Sequence, residues 1–150
     1  MTTHRLERRQ HLDHPLATVF AFFAQARNLE RITPSWLSFR LVGDDPIEMG
    51  AGTLIHYRLR IHHVPLRWTS RIEEWEPDRG FVDRQLRGPY RLWRHRHCFE
   101  ATDTGTLVVD QVDYALPLGR VGDLAHPLFV GRDLDRIFDF RQRMVPRLLG

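Results

Sequence analysis

Lysine is absent from this chain: all 22 of its Lys-or-Arg positions are arginine, and asparagine occurs once, at Asn28. Such a bias is the mark of GC-rich codon usage, so the arginines by themselves say nothing about phosphate chemistry. The formal charge is only +3, and a nucleic-acid partner is not expected. Cysteine is nearly absent too. Cys98 alone can form no internal disulfide, and there is no cysteine cluster to hold a metal. Long apolar runs are missing: the longest stretch without Asp, Glu or Arg is His14 to Ala26, well short of the roughly 20 residues that span a bilayer. Stable membrane insertion is therefore not expected. Met1 to Arg9 is polar and lacks the apolar centre of a secretory signal, which makes a cytoplasmic, reducing compartment the expected location. Also missing are a Gly-x-Ser-x-Gly elbow, a His-Glu-x-x-His helix, a phosphate-binding Gly-Lys loop and a dinucleotide fingerprint. No cofactor is expected.

What is present suits one globular domain over residues 1–150, with 42% hydrophobic and 27% charged residues and no repeat or linker. His4 to Leu12 alternates weakly and predicts a first strand. Asp13 is placed to cap a helix with Pro15 early in it and Val19, Phe20, Phe22 and Phe23 on its apolar surface. A second short helix is expected near Asn28 to Ile32, ending before Pro34. From Leu37 the period changes to two, predicting strands at Leu37–Gly43, Gly52–His62, Pro65–Glu76, Gly80–Arg87, Tyr90–Thr102 and Thr106–Leu116. The connections are short, which requires antiparallel neighbours. About Val121 to Leu148 the apolar residues Leu124, Leu128, Leu134, Ile137, Phe138, Val145 and Leu148 return at helical spacing, with Asp139 placed to pair with Arg143. Pro127 and Pro146 are expected to divide or bend that helix. The fold class is α+β, a curved antiparallel sheet wrapped around a long C-terminal helix, with two short helices after the first strand.

Alternation then assigns faces. Arg94 and Arg96 belong on the solvated side of their strand, so Trp93, His95, His97 and Phe99 point inward. By the same rule Ile55, Tyr57, Leu59 and Ile61, then Trp68 and Ile72, then Val108, Asp110, Val112 and Tyr114 face the core. Phe81, Asp83 and Gln85 oppose Val82, Arg84 and Leu86. Unpaired buried polar groups cost on the order of 1–3 kcal/mol each, so this many inward polar side chains must pair, hold water or meet a ligand. The arginines at 58, 60, 67, 71, 84, 94 and 96 form a solvated, partly ion-paired outer face beside Glu73, Glu74, Glu76 and Glu100. Cys98 falls on that side without an activating partner.

The order of elements resembles the helix-grip fold of the START-related superfamily of polyketide cyclases and lipid-transfer proteins. The segments Asn28 to Pro34, Met49 to Thr53, Pro65 to Trp68, Phe81 to Tyr90 and Trp93 to His97 are similar to a bacterial ligand-binding branch of it. The resemblance implies a deep, mostly apolar cavity between sheet and helix that takes lipids, quinones, polyketides or plant hormones. Fold alone does not assign function. The expected function is binding or transport of a small, largely apolar molecule. One alternative is a cyclase or dehydratase using inward His, Asp and Tyr groups for proton transfer, and another is a module docking on an epimerase-like partner, since relatives occur fused to such domains. The expected ligand-binding residues are Tyr57, Trp68, Asp83, Gln85, Tyr90, Trp93, His95, His97, Asp110, Tyr114 and Phe138. His95 and His97 could share a metal with Asp110 or Asp83, but two strand histidines are a weak pattern and no metal is expected.

Overall fold

The structure is a computed structural model describing residues 2–150; the side chains at 125, 127 and 128 lie outside the description, Leu128 of the helical pattern among them. In chain order it comprises β1 (His4–Leu12), α1 (Leu16–Phe23), α2 (Asn28–Arg31), a 3-10 turn (Ser35–Leu37), β2 (Arg40–Leu41), β3 (Leu54–Ile61), β4 (Val64–Glu76), β5 (Gly80–Arg87), β6 (Leu92–Thr102), β7 (Gly105–Ala115), α3 (Arg120–Ala125), a π-helical turn (His126–Val130) and α4 (Gly131–Leu149). The seven strands form one sheet in the order β1-β7-β6-β5-β4-β3-β2, with every neighbouring pair antiparallel. β3 to β7 are a meander, and β1 returns to pair with β7, opposing His4 to Tyr114 and Leu12 to Thr106.

Period-two sequence explains the inner face. Ile55, Leu59, Trp68, Ile72, Phe81, Phe99, Val108 and Val112 are all buried. Phe20 of α1 meets Trp75, Phe81 and Phe99 at centroid distances of 5.3, 6.3 and 5.3 Å, edge to face, which anchors α1 against the sheet. α4 lays Leu134, Phe138 and Val145 on the core. Arg8 of β1 clips α4 from the other side, with Nη1 2.7 Å from Asp139 Oδ1 and Nη2 3.0 Å from Asp135 Oδ1.

Several local expectations are corrected. The strand placed at Leu37–Gly43 shrinks to Arg40–Leu41, because Pro34 starts a 3-10 turn that Ser38 closes in the left-handed region at φ 47°. Asp13 does not cap α1; Pro15 holds that position and no side chain among the described residues bonds the helix end. Asp139 pairs with Arg8 and not with Arg143, since the sheet offers a guanidinium across the groove. Near Pro127 the C-terminal helical region passes through the π-helical turn, whereas Pro146 sits inside α4 without ending it.

Candidate functional site

Between sheet and α4 lies a cavity of about 160 Å³. Ile55, Leu59, Ile72 and Trp68 form its floor, Leu37 and Phe39 one side, and Leu134, Ile137 and Phe138 of α4 its roof. One end is polar. There Asp83, His95 and His97 rise from β5 and β6, and Arg141 descends from α4.

Strand register builds this end. Asp83 opposes His95, Phe81 opposes His97, and His97 opposes Asp110 on β7. The two imidazoles, two residues apart on one face, stack at 3.6 Å and 24°, and Phe81 stacks on the far face of His97 at 4.1 Å. An ionised carboxylate can only accept, so each histidine donates through its Nε2–H. His97 gives its proton bond to Asp83 Oδ2 at 2.6 Å and His95 to Asp110 Oδ1 at 2.8 Å. Burial pushes the Asp83 and Asp110 carboxyls up, but their surroundings outweigh it: the His97 hydrogen bond at Asp83, and the Arg141 charge with the His95 bond at Asp110, hold both below the usual carboxylate range. His97 goes the other way. Burial and then the neighbouring His95 push it down to about 4, against the pull of Asp83.

The opposite edge of His97 is unsatisfied. Nδ1 is buried with no hydrogen-bond partner among the described residues, and it lies 3.5 Å from Asp110 Oδ1. Arg141 Nη2 is orphaned in the same way, 3.8 Å from the same oxygen. Asp83, His95 and His97 each bring one ligand-type atom within 4.8 Å of the others, the set that would hold a divalent ion here.

Of the expected residues, Tyr57, Trp68, Asp83, Tyr90, Trp93, His95, His97 and Phe138 line the cavity. Three others stand elsewhere. Asp110 stands one strand further along the sheet, outside the cavity lining, and accepts from His95. Gln85 is spent on the turn after β5, donating to the Tyr90 carbonyl at 2.7 Å and accepting the Tyr90 amide at 3.1 Å. Tyr114 bonds His126, which stacks on His4 at 3.8 Å. Among the wall residues missing from the expected set are Ser70 and Arg141. Ser70, 2% exposed, takes the Trp68 indole N–H and bonds the Tyr57 hydroxyl, both at 2.9 Å; its even spacing from Trp68 and Ile72 was the available signal. Arg141 continues the helical series 134, 137/138, 141, 145, and only its charge hid it. Burial, then the Asp83 charge, raises the Tyr57 hydroxyl far above its ordinary range, so it stays a neutral phenol.

A curved antiparallel sheet closed over a long C-terminal helix, with a cavity between them, defines a helix-grip protein. The chain belongs to the polyketide cyclase/dehydrase and lipid transport family, whose model it matches over residues 12–140. Among solved structures, the ZhuI aromatase/cyclase from Streptomyces sp. R1128 is 16% identical with TM-score 0.78, covering 99% of this chain and 94% of its own. Protein CV1439 from Chromobacterium violaceum is 12% identical with TM-score 0.71, covering 98% and 96%. TTHA0849 from Thermus thermophilus is 20% identical with TM-score 0.64, covering 99% and 92%. At these identities the likeness is one of fold. No curated protein matches the chain.

Proposed function

We propose that this chain binds and carries a small, largely apolar molecule, its apolar body in the cavity and one polar group at the Asp83–His95–His97–Arg141 end. The carrying observation is the asymmetry of the cavity wall: aliphatic and aromatic over most of its extent, polar at one end. A volume near 160 Å³ resembles the engineered cavity of about 150 Å³ that accepts benzene. The enclosed part of the ligand is thus about one ring or a short chain.

The arrangement of His97 supports carriage over conversion. A general base needs a free nitrogen facing the substrate. His97 uses Nε2 on Asp83, and its Nδ1 is buried toward Asp110. The cyclase or dehydratase reading is supported by His95, whose Nε2–H is taken by Asp110 while its Nδ1 makes no hydrogen bond among the described residues, and by the Asp83–His97 pair bonded at the cavity wall.

Native mass spectrometry of the chain purified from its own organism tests the proposal. A bound apolar molecule of one mass is expected, recovered unchanged after prolonged incubation with fresh protein. Recovery of a cyclised or dehydrated product would replace carriage by catalysis, and an empty protein that also fails to take up apolar probes would end the binding reading.

A further inference from the structure

Arg141 is the least explained residue of the cavity. Its side chain is 11% exposed, and its guanidinium carbon lies 5.3 Å from the Phe23 ring and 5.7 Å from Phe138. Aromatic faces stabilise the cation but accept no conventional hydrogen bond. Charge is balanced, because Asp110 supplies a counter-charge at 3.8 Å. Hydrogen bonding is not: that distance exceeds a hydrogen bond, Nη2 is buried without an acceptor among the described residues, and no other guanidinium nitrogen makes a hydrogen bond among them. A guanidinium has five N–H donors and no acceptor of its own, and a buried unmet donor costs free energy that an arriving oxygen recovers.

We infer that Arg141 is the ligand-anchoring residue of the cavity and that the group it takes is a neutral carbonyl oxygen. This rests on the binding reading above and narrows it. A carboxylate fits worse, since its charge would face both Asp83 and Asp110 while the positive charge of Arg141 is already matched. A pure hydrocarbon fits worse, since it leaves the guanidinium donors unmet. A ketone, ester, amide or quinone oxygen supplies the acceptor and adds no charge. The ring or chain bearing it then lies along Phe138 and Ile137, toward Trp68.

The test compares three one-ring probes of nearly equal shape, acetophenone, ethylbenzene and benzoate, by protein NMR titration near pH 7.5. In a cavity without a donor ethylbenzene would win, because acetophenone gives up the water on its carbonyl. With Arg141 donating a charge-assisted bond, acetophenone is expected to bind about ten-fold tighter than ethylbenzene, with benzoate weaker than acetophenone. In Arg141→Met, which keeps length and packing, that preference should vanish while ethylbenzene affinity stays within a few-fold. The wild-type ratio decides even if the variant does not fold. A second readout is the carbonyl carbon resonance of labelled acetophenone, which should move downfield on binding to wild type. Equal affinities in the wild type, a preference surviving in Arg141→Met, or benzoate binding tightest would each overturn the assignment. If no probe binds, the cavity reading itself falls and takes this one with it; if the hydrocarbon binds as well as the ketone, only the role of Arg141 falls.

Discussion

His97 is held between a carboxylate it donates to and a second one it faces with an unpaired nitrogen. Its folded pKa, pushed down to about 4 from 6.5, has a consequence for stability. Between those values the unfolded chain binds more protons than the folded one, so the contribution is fully present above about 6.5 and lost as pH falls through about 4. Asp83 and Asp110, also depressed, withdraw support only below their ordinary 3.8. Denaturant titrations are therefore expected to give flat stability above pH 6.5 and a fall between 6.5 and 4. His97→Gln should flatten that segment while lowering stability at pH 7 by about 1–3 kcal/mol, the scale of disturbing a buried hydrogen bond. An unchanged profile would show that His97 does not titrate as a buried neutral imidazole. The same geometry bears on metal. Both Nε2 edges are committed to carboxylates and a guanidinium stands nearby, so elemental analysis is expected to find well below one transition-metal ion per chain. About one zinc per chain would reverse this.

At the scale of elements, two contacts keep the polar end in shape. Gly80 begins β5 opposite Cys98, and a Cβ there would run into the His97 carbonyl oxygen. Backbone cannot step aside as a side-chain tip can, so Gly80→Ala should push β5 off β6 at His97. The expected loss is about 1–3 kcal/mol, the range for overpacking. Chemical shifts of the His97 ring should move with it, and a variant as stable as wild type would show that the strands yield freely. The other contact is the clip between β1 and α4, where Arg8 bonds Asp135, Asp139 and Gln142. Arg8 is partly exposed, so solvent discounts each ion pair, and Arg8→Met should cost only about 1 kcal/mol. Its effect should be local. Amide exchange is expected to quicken in α4 while the β4–β5 ladder stays protected; uniform acceleration would mean that α4 does not open on its own.

For the molecule as a whole, ligand uptake and stability are linked. A ligand that binds only the folded state adds about 2.7 kcal/mol at a hundred times its Kd. For a chain of this size that raises Tm by roughly 5–10 °C. A cavity-filling change such as Leu59→Trp, made in the floor, should abolish the ligand-dependent part of the shift while leaving Tm without ligand little altered. Thermal scans with and without acetophenone check both halves. An undiminished shift in Leu59→Trp would place the ligand outside the cavity.

The sequence by itself determined the order of the elements and the inward direction of His95, His97, Asp110 and Trp68, because side-chain direction along a strand is a local, period-two property of the backbone. Short Gly, Pro and Asp-containing connections did the rest, since only antiparallel neighbours can be joined so tightly. It did not determine which inward groups meet. Gln85 faces the core by alternation, yet a turn hydrogen bond claims it; Leu37 to Gly43 reads as strand, yet Pro34 and Ser38 curl it. That His97 reaches Asp83 while His95 reaches Asp110 follows from the register of three strands at once. Arg141, charged at an apolar position of its helix, acquires its meaning only when α4 is laid across the sheet and its guanidinium arrives beside Asp110. Such meetings are set by the sum of many packing contacts between distant segments, and no window of sequence contains that sum.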